Sequence, residues 1–96
     1  MPEDKMTIIA AFQAHLKKGG GVYHDWFVGV SPDGEHALFK THGIKQDDWW
    51  MMADTGSNED ARDVEGFFIT GLKTDGGTDT PGRFVYIYKK GPHSKP

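Results

Sequence analysis

The side chains best suited to chemistry in this chain are Glu65, His42, Tyr86 and Tyr88. A single carboxylate, completed by phosphate oxygens and water, satisfies Mg²⁺. We therefore predict a one-metal site in which Glu65 is the protein ligand and the histidine and tyrosines lie close by. The alternative for this carboxylate is an ion pair with Arg62, which precedes it by one helical turn.

Other kinds of reactive or metal-binding site are disfavoured by the composition. The chain has no cysteine, which excludes disulfides and thiolate metal sites. Its serines fall in turn, cap and tail contexts, and none of its five histidines belongs to a His-x-x-x-His pair. The adjacent acids Asp47 and Asp48 are expected at the solvated start of a strand.

The charges are divided unevenly along the chain, whose net charge is −3. Seven acids and one base, Arg62, lie between positions 47 and 65, whereas four bases and no acid lie from Arg83 onward. This polarity disfavours strong non-specific binding to duplex DNA, which needs many cations facing phosphates. The uneven distribution of charge is compatible with a basic edge that includes Lys89 and Lys90 and binds an acidic partner. It is also compatible with an acidic face that binds a basic partner.

The length of the chain, 96 residues, predicts a single domain over residues 1–96. Helical and strand patterns alternate along it and predict a small α+β fold, with a three-stranded antiparallel sheet packed by helices in the order α-β-α-β-α-β. The predicted helices cover 3–18, 35–42 and 57–70, the predicted strands cover 22–30, 48–53 and 84–90, and 91–96 form a tail. Apolar runs reach only five residues, so we expect no membrane span and a cytoplasmic protein.

The run from Trp26 to Val30 carries aromatic or β-branched side chains on both faces of a strand, which predicts a central strand covered on both sides. Gly29 interrupts this run and predicts a bulge or the close approach of a backbone or ligand, with simple packing as the alternative. The tandem tryptophans Trp49 and Trp50 point to opposite faces of one strand. We expect one of them to be deeply buried against the phenylalanines of the third helix.

Several motifs resemble those of a known family. They are Trp26-Phe27-Val28-Gly29-Val30 with a turn after it, Leu38-Phe39-Lys40-Thr41-His42, the pair Trp49-Trp50, and Glu59-Asp60-Ala61-Arg62-Asp63-Val64-Glu65. Together these segments resemble the GIY-YIG nuclease superfamily, with Phe27-Val28-Gly29 as the second tripeptide of its name. Asp75-Gly76-Gly77-Thr78, residues 85–90 and Pro92-His93-Ser94 resemble a compact bacterial and phage group that we associate with this superfamily.

The resemblance implies metal-dependent cleavage of phosphodiesters. In this interpretation Glu65 holds Mg²⁺ or Mn²⁺, Tyr86 or Tyr88 helps to activate water, and His42 assists proton transfer. It also implies a permuted arrangement, because no hairpin partner precedes Trp26. The C-terminal strand is then expected to pair antiparallel with the strand at 22–30 and to bring a tyrosine to the place of the family's first one.

Two departures from the family pattern favour a domain that has kept the fold and lost the chemistry. Phe27 stands where the second tyrosine belongs, and the arginine of the first family helix is absent, with His36 as a weak substitute for a guanidinium. The favoured function is a catalytically degenerate module that binds nucleic acid or a nucleic-acid-handling protein. Its candidate binding residues are Phe27, Gly29, His36, Lys89 and Lys90.

Two alternative functions stay open at this point. One is an active metal-dependent phosphodiesterase or endonuclease built on the same residues. The other is a small acidic inhibitor of phage type, which would use the acid-rich region to contact a nucleic-acid-handling complex.

Overall fold

Helices cover both faces of a four-stranded mixed sheet in the computed structural model, which describes residues 4–20, 22–45, 48–77 and 81–91. The helices are α1 (Lys5–Gly19), α2 (Gly34–His36, continued by π-helical turns over Ala37–Thr41) and α3 (Asn58–Gly66, continued by π-helical turns over Phe67–Gly71). The strands are β1 (Trp26–Ser31), β2 (Trp50–Asp54), β3 (Asp75–Gly76) and β4 (Phe84–Lys89), in the sheet order β2-β4-β1-β3. The predicted α+β class is confirmed.

Strand β4 lies between β1 and β2 and pairs antiparallel with both of them. Ile87 is opposite Val28 in β1 and opposite Met51 in β2. The prediction that the last strand pairs antiparallel with the strand around Trp26 is therefore confirmed. Both strands have apolar side chains on their two faces, so both belong in the middle of a covered sheet.

The predicted three-stranded, purely antiparallel sheet is wrong in one detail, because β3 adds a short parallel edge to β1. Asp75 lies opposite Phe27, and Gly76 lies opposite Val28. Gly76 has a φ of 145°, and a Cβ atom there would clash with the Val28 carbonyl, so glycine is required. A strand of two residues has no periodicity that the sequence could reveal.

Side-chain caps define where the two longer helices begin. The Asp4 carboxylate accepts a hydrogen bond from the Thr7 N–H (3.1 Å), and the Ser57 hydroxyl oxygen accepts one from the Asp60 N–H (3.1 Å). The Ser57 cap agrees with the predicted start of the third helix at position 57, and the predicted helices closely match α1 and α3 with its π-helical turns. Position 3 and the tail after position 91 lie outside the described residues.

An apolar layer forms on each face of the sheet. On one face, α1 and α3 cover β1 and β4, and the buried residues there are Ile8, Phe12, Leu16, Trp26, Val28, Val64, Phe68, Val85 and Ile87. On the other face, the buried residues are Phe27, Ala37, Leu38, Ile44, Tyr86 and Tyr88. The candidate catalytic tyrosines therefore lie beneath α2 and its π-helical continuation, not beneath the longer helices.

Two predictions about aromatic residues are wrong. Tyr23–Asp25 form a 3₁₀ turn, so β1 begins at Trp26 instead of residue 22. Trp49 is 44% exposed, and Trp50 is half-buried with its ring edge-on to Phe39 (centroids 5.1 Å apart), so neither tryptophan is deeply buried against the third helix. Because β2 is an outer strand of the sheet, its faces are covered only in part.

Candidate functional site

The imidazole of His42 is held between the hydroxyl groups of two tyrosines. Its Nε2 atom lies 2.8 Å from the Tyr86 hydroxyl oxygen, and its Nδ1 atom lies 3.1 Å from the Tyr88 hydroxyl oxygen. In a neutral imidazole one nitrogen donates and the other accepts, so one phenol then donates to the ring while the other accepts from it. We call these three side chains the His–Tyr cluster.

The His–Tyr cluster is closed to solvent. The exposed fraction is 4% for His42, 2% for Tyr86 and 0% for Tyr88. The ring of Phe27 packs against the cluster, with its centroid 4.9 Å from that of His42 and 5.3 Å from that of Tyr88, on which it stacks. The polar groups are thus enclosed by aromatic rings and satisfy one another's hydrogen bonds.

Local geometry explains how His42 and Tyr86, which are 44 positions apart in the sequence, come together. Side chains alternate along a strand, so Tyr86 and Tyr88 project from the same face of β4. His42 follows the last π-helical turn, and its N–H donates to the Ala37 carbonyl (3.0 Å), which is the spacing of a π-helix. This backbone bond fixes the histidine where α2 meets the tyrosine face of the sheet.

Gly29 provides the space that the Tyr86 ring occupies. The two residues are directly opposite in the β1–β4 ladder, and a Cβ atom at Gly29 would lie 2.5 Å from the Tyr86 Cζ atom. Any larger residue would push the ring away from its place beside His42. The packing alternative therefore accounts for this glycine, and the approaching group is a side chain of the neighbouring strand.

Burial raises the pKa of both phenols of the cluster, which are protonated at neutral pH. Burial raises the pKa of Tyr86 to about 12, and the negative charge of Glu65 adds to the effect. Burial likewise raises the pKa of Tyr88, with smaller contributions from Tyr86 and Asp75. Such groups are hydrogen-bond donors near pH 7 and are poor general bases, because a base must lose its proton close to the working pH.

Glu65 is buried in α3 and forms an ion pair with Arg62. Its exposed fraction is 6%, and its Oε1 atom lies 3.3 Å from the Arg62 Nη1 atom. The ion pair predicted as the alternative role of this carboxylate is therefore present. The negative charge of Glu65 also contributes, after burial, to the raised pKa of Tyr86.

The predicted Mg²⁺ or Mn²⁺ site depends on one carboxylate, that of Glu65. Mg²⁺ needs hard oxygen ligands with negative charge, and Glu65 already has a guanidinium against it. Within the ranges that the structure describes, no three His, Asp or Glu side chains converge on one point. The predicted Mg²⁺ or Mn²⁺ site thus has one buried carboxylate whose charge is offset by Arg62.

The remaining candidate residues are placed apart from the cluster or have other partners. His36 is exposed and lines a shallow depression of about 250 Å³ beside α2. The Lys89 ammonium donates to the Gly19 carbonyl (2.8 Å), and the Lys90 ammonium forms an ion pair with Asp75 (3.0 Å). The structure therefore joins Phe27 and Gly29, but not these cations, to the His–Tyr cluster.

A groove of about 330 Å³ at the C-terminal end of α1 was not predicted from the sequence. It is lined by Leu16, Lys17, Gly20, Val22, Tyr23 and Trp26. Tyr23 was assigned to the first strand, where it would have been covered. The signal that places it outside is the polar pair His24-Asp25, which follows it and completes the 3₁₀ turn.

Comparison with protein-family models, with curated proteins and with solved structures found no match to this chain. The resemblance to the GIY-YIG superfamily therefore stays a prediction. In the part of the chain that the structure covers, no helix is both long and apolar enough to cross a membrane.

Proposed function

We propose that this chain is a GIY-YIG-like domain that has lost catalysis and serves as a nucleic-acid-binding module. The observation that carries the proposal is the closure of the candidate site. Its catalytic and metal-binding candidates, His42, Glu65, Tyr86 and Tyr88, are each no more than 6% exposed. A group that activates water or holds a metal bound to phosphate must reach its substrate, and these groups instead contact one another or Arg62.

The protonation state of the tyrosines supports the same conclusion. A phenol whose pKa is raised to about 12, as burial does for Tyr86, remains neutral at physiological pH. It can donate a hydrogen bond, but it takes a proton from water poorly. The cluster is well suited to fixing α2 on the sheet, because each polar group is buried and satisfied.

A nucleic-acid partner fits the charges better than a basic protein does. The acid-rich region is compensated in part within the fold, because Lys5 contacts Asp63 (2.9 Å) and Asp60 (3.7 Å). Arg83 contacts Asp54 (3.2 Å) in the same way. These ion pairs reduce the negative charge that an inhibitor would present to a basic partner.

An active metal-dependent phosphodiesterase is the second candidate function. It is favoured by one observation, namely that the Tyr86 hydroxyl contacts His42 while the charge of Glu65 acts on Tyr86. The family resemblance assigns these three residues to one site. Arg62 would also supply a guanidinium near the acid, in place of the arginine that the first family helix lacks.

Titration with Mn²⁺, followed by paramagnetic broadening of the amide NMR signals, tests the proposal. We expect no broadening centred on Glu65, His42 and Tyr86 at millimolar metal. Localised broadening there that disappears in Glu65→Gln would overturn it. Glu59→Gln is the matched control, because it removes an exposed carboxylate from the same helix.

A further inference from the structure

We infer that the groove at the C-terminal end of α1 binds single-stranded nucleic acid, with a base stacked on Tyr23 and the backbone beside Lys17. The inference rests on the proposed nucleic-acid function and names the surface and the form of the strand. It uses none of the residues of the His–Tyr cluster. The groove and the cluster can therefore be tested separately.

The groove presents the exposed aromatic ring of Tyr23 above a buried, hydrogen-bonded floor. Tyr23 is 43% exposed and Val22 is 54% exposed, and both line the opening. Trp26 forms the floor of the groove, since it is 1% exposed and its Nε1–H donates to the Gly20 carbonyl (3.2 Å). The 3₁₀ turn that carries Tyr23 is held by Asp25, whose carboxylate accepts from the Val22 N–H (3.2 Å).

A second exposed aromatic ring lies at the same helix end. Trp49 is 44% exposed, and a Cβ atom at Gly19 would lie 3.4 Å from its Cδ2 atom and 2.5 Å from the Cζ2 atom of Trp26. Both indoles therefore pack against one glycine. Tyr23 and Trp49 thus give the end of α1 two exposed aromatic rings on which bases can stack.

Positive charge is concentrated around this helix end, although the chain as a whole carries −3. Lys17 and Lys18 are exposed in the last turn of α1, and the Lys89 ammonium lies 2.8 Å from the Gly19 carbonyl. The carboxylate of Asp25, in the turn that carries Tyr23, accepts from a backbone N–H and lies 4.0 Å from the imidazole of His24. The local balance therefore suits an anionic ligand.

Aromatic rings interleaved with lysines are the pattern of single-strand recognition. Every base has a π-face, so stacking tolerates any sequence, and the lysines offset the charge of the phosphates. Bases in a duplex are already stacked and paired and cannot lie flat on Tyr23. We therefore expect single strands to bind in preference to duplexes.

Fluorescence anisotropy with a labelled oligothymidylate tests the inference on the full chain. We expect Tyr23→Ala to weaken binding by about 10-fold and Tyr23→Phe to keep it, since stacking does not need the hydroxyl. Lys17→Ala is expected to reduce the slope of log affinity against log salt by about one. Phe67→Ala, at a 38% exposed ring on α3's continuation, is the matched control and should bind as the parent does.

The outcomes separate the groove from the proposed function. If the parent and Tyr23→Ala bind the single strand with equal affinity, the groove is not the binding site, although the chain still binds nucleic acid. A duplex of the same length that binds as tightly as the single strand would also overturn it. If neither binds, both the groove and the proposed nucleic-acid function are wrong. Circular dichroism of each variant confirms that the exposed substitutions leave the fold intact.

Discussion

The Nε2 atom of His42 lies 2.8 Å from the hydroxyl oxygen of Tyr86, inside a cluster with almost no exposed surface. This hydrogen bond joins the end of the α2 segment to the central strand of the sheet. Because both partners are buried, losing one of them leaves the other without a replacement from water. The bond therefore has consequences for stability that do not depend on any activity.

Replacing Tyr86 with Phe removes only the hydroxyl group. We expect the free energy of unfolding to fall by about 1–3 kcal/mol, because the His42 Nε2 atom is then buried without this partner. Urea denaturation measures the change. Tyr23→Phe is the matched control and should change stability by less than about 0.5 kcal/mol, since that side chain is exposed. A Tyr86→Phe variant as stable as the parent would contradict the described hydrogen bond.

A methyl group at Gly29 would meet the Tyr86 ring. We expect Gly29→Ala to destabilise the chain by about 1–3 kcal/mol, since the ring is held by His42 and overpacking is costly. Gly66→Ala makes the same chemical change in α3 with open space around it. That control should stabilise the helix by about 0.5–1 kcal/mol. Equal effects of the two substitutions in thermal unfolding would show that Tyr86 does not pack on Gly29.

The raised pKa of Tyr86 predicts a loss of stability at high pH. The folded chain holds this proton more tightly than the unfolded chain, because its pKa is raised from 10.0 to about 12. The stabilisation is therefore complete below pH 10 and is lost as the pH rises towards 12, with a slope of at most about 1.4 kcal/mol per pH unit. The free energies of unfolding of the parent and of Tyr86→Phe, measured across this window, should converge. A constant difference between them would contradict the pKa shift.

The tryptophans are expected to differ sharply in their contribution to stability. Trp26 is 1% exposed, so Trp26→Ala should cost about 3–5 kcal/mol. Trp49 is 44% exposed, and Trp49→Ala should cost less than half as much. Chemical denaturation of the two variants makes the comparison. A larger loss at Trp49 would mean that the end of α1 is packed differently.

Strong local signals made much of the fold predictable. Capping residues and apolar spacing are local features, and local signals of this kind predicted the helix over 57–70. The alternation of side chains in β4 placed Tyr86 and Tyr88 on one face, and the absence of an earlier hairpin partner for Trp26 paired that strand with β1. These inferences needed only neighbouring residues or the requirement that both faces of a strand be covered.

Features that depend on tertiary position could not be predicted in the same way. The short β3 has no pattern of its own and is held by the contact of Gly76 with β1. The exposure of Trp49 follows from its position just before an outer strand, which the order of elements along the chain does not specify. Tyrosine is a residue type that is common in strands. Tyr23 lies outside the sheet because it belongs to the 3₁₀ turn that follows the glycines.

The candidate site was predictable as a set of residues but not as a closed cluster. The family resemblance grouped His42, Tyr86 and Glu65, and the structure brings the first two into contact. Burial was not predictable, because it depends on how α2 and its π-helical turns lie over the tyrosine face. The hydrogen bond from Tyr88 to the second nitrogen of His42 needs the same packing.

A cleavage assay with Mn²⁺ on single-stranded, duplex and branched DNA tests whether the His–Tyr cluster and Glu65 catalyse a reaction. We expect no cleavage of any substrate, while the same preparation binds the labelled single strand in anisotropy. Mn²⁺-dependent cleavage by the parent, lost in both Glu65→Gln and Tyr86→Phe but kept in Glu59→Gln, would contradict this expectation and assign the His–Tyr cluster to catalysis.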